Sequence, residues 1–281
     1  YLKPALGFYD NSQAAVLEKQ ILQARANGLQ FFNFYWYWQS TLNGGAGGER
    51  YYHGLQAFLA AKNTEDLEFA VSITAHPWGN LNIPPAQAPA AIDVIIQKYL
   101  GKPHYLRTSD GRPVIFIIDT RGINNGAQAD VINFLALLKQ RVNQQTGKLP
   151  FVVMSSELHN LTVGDPYYLD VKGLGDVQGY SCLNYFGASL NTAVSTTVGS
   201  QTRYNGALNG IFNNFTNKPM IPCYMTDFNE KPRTRVGVPA AQIRYLNDWT
   251  LSGLTSGLTT TRNWVNGRSQ GVVNNWVNLY A

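Results

Sequence analysis

Hydrophobic positions along the chain follow two rhythms that take turns. Apolar, β-branched and aromatic runs cover residues 4–9, 29–38, 67–75, 113–119, 151–156, 177–185, 220–227 and 276–281. Each has the length and density of a strand buried in a parallel sheet. Between them the spacing turns helical. Residues 13–26 place Val16, Ile21, Leu22 and Ala24 on one broad face, and Asn27-Gly28 stops the pattern. Residues 89–100 gather Ile92, Ile95, Ile96 and Tyr99. Residues 127–145 gather Val131, Phe134, Leu135 and Leu138, with Gly147 beyond the end. Residues 202–214 and 239–251 are two further predicted helices.

Strands that alternate with helices predict parallel pairing through crossover connections. Eight such units predict an α/β chain of the (β/α)₈ TIM-barrel type. No linker or low-complexity tract interrupts it, so residues 1–281 read as one barrel domain. The eighth strand runs to Ala281 with no helix behind it. That pattern reads as a barrel lacking or truncated at its last helix, whose apolar flank needs a cover from further chain or a partner.

Composition narrows the function. Hydrophobic residues are 44 % of the 281, but charged residues are only 14 %, against the usual quarter. Asn, Gln, Thr, Ser and Gly fill the difference, a surface common in exported proteins. A secreted, periplasmic or cell-surface location is therefore expected, with any leader removed before Tyr1. The net charge is +5, yet no Lys/Arg cluster exceeds two, so nucleic acid is not the expected partner. No apolar run reaches the ~18 residues of a membrane span. Cys182 and Cys223 lie in strand-like segments and read as two buried thiols, with a disulfide between neighbouring strands as the alternative. No Cys/His spacing suits zinc, and neither a metal nor another cofactor is expected.

In such a barrel the chemistry gathers at the C-terminal strand ends. There the chain supplies Tyr9-Asp10, then Tyr35-Trp36-Tyr37-Trp38, then His76-Pro77-Trp78. Asp119 follows with Arg121, then Glu157 with His159, Asn184-Tyr185, and finally Asp227 with Glu230. Aromatic rings suit the apolar faces of sugars, while amides, carboxylates and imidazoles suit their hydroxyls. Tyr9, Asp10, Tyr35, Trp36, Trp38, His76, Trp78, Asp119, Asn184 and Tyr185 are therefore candidate carbohydrate-binding residues, with Trp36 or Trp38 lining the site. Glu157, Asp227 and Glu230 are candidate catalytic carboxylates, since glycosidic cleavage needs an acid and a base or nucleophile. Each has a structural alternative: half of the 31–38 run must face helices, Asp10 suits a helix cap, and Asp119 can simply pair with Arg121. The glycine-rich stretch Gly44-Gly45-Ala46-Gly47-Gly48 lacks the lysine and spacing of a phosphate loop, and no Gly-x-Ser-x-Gly elbow occurs.

Two segments carry a family resemblance. Pro4-Ala5-Leu6-Gly7-Phe8-Tyr9-Asp10 and Gly28-Leu29-Gln30-Phe31-Phe32-Asn33-Phe34-Tyr35-Trp36-Tyr37-Trp38 resemble the opening of glycoside hydrolase family 99-like proteins, including the WbsX-type group of polysaccharide gene clusters. Gly111-Arg112-Pro113-Val114-Ile115-Phe116-Ile117 is similar to their fourth strand, and His104-Tyr105-Leu106-Arg107 to the stretch before it. The resemblance implies a barrel acting on glycans, by analogy with endo-acting α-mannoside hydrolases. It implies a substrate-site role for Tyr9 and a match for Trp78. Relatives carry an Asn-Glu-Asn-Trp-like end on strand three, where this chain has Ala75-His76-Pro77-Trp78. The family places two catalytic glutamates in an Asn-Glu-Trp-x-Glu-Gly-like motif after strand eight. One assists attack of the sugar's 2-hydroxyl on its own anomeric carbon, and the other acts as acid, then base. Residues 277–281 look like that strand, and no catalytic glutamate is carried over. Three readings follow: a glycoside hydrolase acting on a poly- or oligosaccharide, a non-catalytic glycan-binding barrel, and a glycosyltransferase-like protein of surface-polysaccharide metabolism.

Overall fold

The structure, a computed structural model, describes residues 7, 9–123, 126–156, 177–182, 189, 195, 197–213, 219–226, 243–268 and 273–280. The chain divides into two compact units, Tyr1–Val153 and Met154–Ala281.

The first unit opens with helix α1 (Ala14–Ala26), followed by strand β1 (Phe31–Gln39), which turns back into the short β2 (Gly48–Arg50). Next come α2 (His53–Ala60), β3 (Glu68–Thr74) and α3 (Ala88–Ile95), which runs on into a π-type turn, Ile96–Leu100. The strand β4 (Val114–Ile118) and helix α4 (Gln128–Thr146) follow, and the strand β5 (Phe151–Ser156) spans the division between the units. The sheet order is β2-β1-β3-β4-β5. β1 pairs parallel with β3, and β3 parallel with β4, while β2 is antiparallel to β1. All of β4 and all of β3 except Glu68 are buried. Parallel strands covered on both faces have no solvent-facing side, which is why β4 reads as an unbroken apolar run and β3 breaks its run only with the small hydroxyls of Ser72 and Thr74.

β1 behaves differently, because its side chains alternate between unlike surroundings. Phe32 and Phe34 pack on Phe58 of α2, with ring centroids 5.9 and 5.2 Å away. Trp36 and Trp38 continue that row. The other row is mixed: Phe31 stacks on Phe116 of β4, with ring centroids 6.5 Å apart, and Asn33 accepts a 2.7 Å bond from the Ser72 hydroxyl of β3.

The second unit holds β6 (Gly179–Cys182), β7 (Val198–Gly199), α5 (Gln201–Asn213), β8 (Met220–Ile221), β9 (Cys223–Met225), β10 (Tyr245–Leu246), α6 (Leu251–Asn266) and β11 (Asn278–Tyr280). Parallel pairs form between β6 and β8, β7 and β10, and β9 and β11. A buried polar chain joins three of these strands. The Asn278 amide donates to Ser181 Oγ, which donates to the Ile221 carbonyl.

Three expectations from the sequence change here. The run 220–227 breaks into two strands at Pro222, which has no N–H to give the ladder. The helix expected at 239–251 is displaced: Tyr245–Leu246 is a strand, and α6 begins at Leu251 after Thr250, whose hydroxyl accepts the Gly253 N–H. Gly253, Gly257 and the threonines disguise α6 by propensity, and packing overrides them. Finally, the cysteines are not thiols. Cys223 is disulfide-bonded, and no free cysteine occurs among the described residues. Pairing of Ser181 with Ile221 sets Cys182 beside the strand that continues to Cys223. The expected first strand, 4–9, lies mostly outside the described residues.

Candidate functional site

The first unit concentrates its candidate residues just beyond β3 and β4. After Thr74 the backbone of Ala75 still pairs with β4, donating to Ile118 O, while Gly122 N–H donates to Ala75 O. A Cβ on Gly122 would sit 2.3 Å from the Ala75 carbonyl carbon. Only glycine allows this approach, and the approach folds the loop after β4 onto the end of β3. Asp119 turns the chain with φ +61°, a left-handed conformation that costs a non-glycine residue energy and marks functional sites.

The result is a joined triplet. His76 Nδ1 lies 3.0 Å from Asp119 Oδ2. Arg121 grips the same carboxylate with a fork, Nε to Oδ1 at 2.8 Å and Nη2 to Oδ2 at 2.7 Å. Burial raises the Asp119 pKa, but the bonds from His76 and Arg121 outweigh it, and the carboxyl lies below its ordinary value. An ionised Asp119 can only accept, so Nδ1 carries the shared proton. His76 Nε2 makes no hydrogen bond to any described residue, and it points its chemistry away from Asp119.

Aromatic rings surround this imidazole. Trp78 stacks on His76 at 4.1 Å with 16° between planes and stays 53 % exposed. It is carried on a tight turn in which Gly79 and Asn80 both have positive φ and Leu81 N–H closes back on Trp78 O. On the other side Tyr37 lies 6.0 Å from His76, and Tyr51 meets Tyr37 edge-on at 5.6 Å. Tyr35, two residues before Tyr37, is 40 % exposed. The arrangement offers half-open rings and one oriented imidazole, the chemistry that seats a sugar ring and its hydroxyls.

Trp36 and Trp38 take another place. Strand alternation turns both toward the helices, and Trp36 is 1 % exposed. The Trp36 indole N–H donates to Glu49 at 2.7 Å, and that of Trp38 to Gln87 at 2.8 Å. Gln87 in turn donates to Ser40 O and Gly45 O. These indoles brace the loops, and the row that faces the site belongs to Tyr35 and Tyr37. Asp10 is exposed and organises the turn into α1, accepting from Ser12 N–H at 2.8 Å and from the Ser12 hydroxyl. Tyr9 beside it is 42 % exposed. Glu157, Asn184, Tyr185, Asp227 and Glu230 lie outside the described residues. Among the described residues, no group of three His, Cys, Asp or Glu gathers as metal ligands, and no helix is long and apolar enough to cross a membrane.

Glu49 is the residue that the sequence reading overlooked. Its side chain is buried and collects Trp36 N–H, the Tyr99 hydroxyl at 2.5 Å and the Lys98 ammonium. Burial, reinforced by Glu49, pushes the Tyr99 hydroxyl far above the usual phenol range. The run Glu49-Arg50-Tyr51-Tyr52-His53 after the glycine-rich loop was the available signal, a block of charge and aromaticity with neither strand nor helix rhythm.

No family model matches the chain, and no curated protein matches it in sequence. Solved structures do. Two structures of the GH99 endo-α-mannosidase from Bacteroides thetaiotaomicron, one in complex with bis-tris-propane, each align with 99 % of this chain at a TM-score of 0.61 and 14 % identity. They are covered over 73 % and 69 % of their lengths. At that identity the likeness is one of fold, and it agrees with the parallel strands and alternating helices described above: the chain has the (β/α)₈-barrel fold of the family 99 structures.

Proposed function

We propose that this chain is a carbohydrate-active protein, a glycoside hydrolase, whose barrel mouth holds a sugar against Trp78, Tyr37 and His76. The observation that carries the reading is the His76–Asp119–Arg121 triplet under a half-exposed Trp78. It supplies a fixed imidazole nitrogen beside an aromatic surface at the strand ends, where barrels of this type do their chemistry. The fold shared with an endo-α-mannosidase makes α-mannosides the first substrates to test. Glu157, Asp227 and Glu230 are the carboxylates proposed for catalysis, with Asn184, Tyr185 and Tyr9 as further sugar contacts. The disulfide at Cys223 supports export, since such bonds persist in oxidising compartments.

Release of reducing ends from α-mannan and other oligosaccharides tests the hydrolase. Loss of turnover in Glu157→Gln, Asp227→Asn or Glu230→Gln with binding retained would support it. Turnover unchanged in all three would remove these carboxylates from the mechanism. A second reading, glycan binding without cleavage, is favoured by one observation. The carboxylate at the ends of β3 and β4, Asp119, is committed to His76 and Arg121 and is in no position to act as a free acid or nucleophile. Calorimetric binding of a glycan with no turnover would decide for that reading. Absence of any glycan binding, or binding indifferent to Trp78→Ala and His76→Ala, would overturn the site.

A further inference from the structure

Beside the barrel-mouth residues lies a separate cavity of about 540 Å³, formed where β2, the start of α2 and the turn after α3 meet. Its lining includes Arg50, Tyr51, Tyr52, His53, Glu49 and Lys98. The two lysine and glutamate charges cancel: Lys98 binds the buried Glu49 carboxylate. Arg50 has no carboxylate partner among the described residues. Its guanidinium instead lies over the Tyr51 ring at 5.0 Å, a placement that keeps the planar fork of donors ordered and leaves it open to an anion. Tyr51 is 61 % exposed and held at φ +57°. A bulky residue in that conformation is strained, and such strain collects where a side chain must be presented to a ligand. Tyr52 and His53 add a second aromatic pair, 4.8 Å between centroids.

A row of ring contacts connects this cavity to the proposed sugar site. Trp78, His76, Tyr37 and Tyr51 form a line with successive centroid distances of 4.1, 6.0 and 5.6 Å. A glycan seated on Trp78 and His76 is led along this line to Arg50. We infer that the Arg50–Tyr51 cavity is a subsite for an acidic sugar unit, one carrying a carboxylate or a sulfate ester, so that the glycan recognised by this protein is anionic. The inference rests on the proposal that the barrel mouth binds carbohydrate, and it assigns that carbohydrate a charge. Arg50 holds the anion, the Tyr51–Tyr52–His53 rings flank the sugar, and the Glu49–Lys98 pair fixes the wall behind.

Calorimetry with three probes tests it: uronic-acid oligosaccharides, the same chains after carboxyl reduction, and sulfated neutral oligosaccharides. The wild type is expected to prefer an acidic chain over the reduced one by about tenfold, the effect of one charge-assisted hydrogen bond, and to lose that preference as salt rises. Arg50→Ala should abolish the preference and leave affinity for the neutral chain unchanged, with Arg50→Lys retaining part of it. Whether uronate or sulfate is the stronger ligand identifies the anion. Equal affinity for acidic and reduced chains, or a preference that survives Arg50→Ala, overturns the subsite. Trp78→Ala separates the two ideas. If it weakens acidic and neutral chains alike while Arg50→Ala changes nothing, the barrel-mouth site stands and the acidic subsite falls. If Arg50→Ala abolishes acidic binding while Trp78→Ala is silent, the subsite stands and the barrel-mouth reading falls. Binding of none of the probes sinks both.

Discussion

Trp36 and Trp78 show how little residue type says without a direction. Trp36 is enclosed, and its N–H is one of the donors that stabilise a buried Glu49. Trp36→Phe keeps an aromatic ring but strips that donor away and leaves a void, which should cost about 1–3 kcal/mol of stability or more in urea unfolding and leave glycan affinity alone. Trp78→Ala is expected to do the reverse, changing stability by less than about 0.5 kcal/mol, as surface substitutions do, while weakening sugar binding. Asp119 carries a pH dependence of known sign. Its pKa is lower folded than its ordinary 3.8, so the ionised form contributes stability that is fully present above that value. The contribution is lost as pH falls through the folded pKa. Thermal melts from pH 7 downward should therefore show an acid limb that is shallower in Asp119→Asn, and identical limbs would remove Asp119 from the acid response.

At the level of elements, the site depends on two strand ends being drawn together by a glycine. Gly122 has no room for a side chain against Ala75. Gly122→Ala should cost about 1–3 kcal/mol, the usual penalty of overpacking, and should weaken glycan binding as well, because the same displacement separates Asp119 from His76. A variant that unfolds earlier yet binds normally would show that the loop after β4 positions nothing. Gly257 plays a comparable part in α6, where a Cβ would meet the Tyr224 ring at 2.2 Å. This helix–strand contact explains how a segment rich in glycine and threonine stays helical, since tertiary packing contributes more than propensity withholds.

Across the whole molecule, the disulfide is the largest single correction to the sequence reading. The bond at Cys223 cross-links the unfolded chain, and reduction should remove about 2–4 kcal/mol by loop-entropy arguments. A melting temperature that is insensitive to reductant would show that the bond contributes nothing to the stability of the second unit. Its presence also agrees with the low charge content in favouring an oxidising compartment.

The order of strands and helices was readable in the sequence because burial leaves a mark at every position. Val114–Ile118 is apolar on both faces, and Glu68–Thr74 is buried on both beyond Glu68, as parallel strands between helices are, and the repetition of strand and helix leads to a barrel. The chemistry at the strand ends was readable only as a set of candidates, His76, Trp78 and Asp119 among them. Which of them meet was decided by tertiary structure: by the Gly122–Ala75 approach, by the left-handed turn at Asp119, and by the pleat that sends Trp36 and Trp38 to the helices and Tyr35 and Tyr37 the other way. A one-residue change of phase in β1 would have exchanged those roles, and nothing in the eight-residue aromatic run itself sets that phase. The Glu49 cluster and the Arg50 cavity were beyond the sequence for a similar reason. They join β1 and β2 to the turn after α3, about fifty residues further along the chain, and hydrophobic rhythm records that a position is buried without recording which partner buries it.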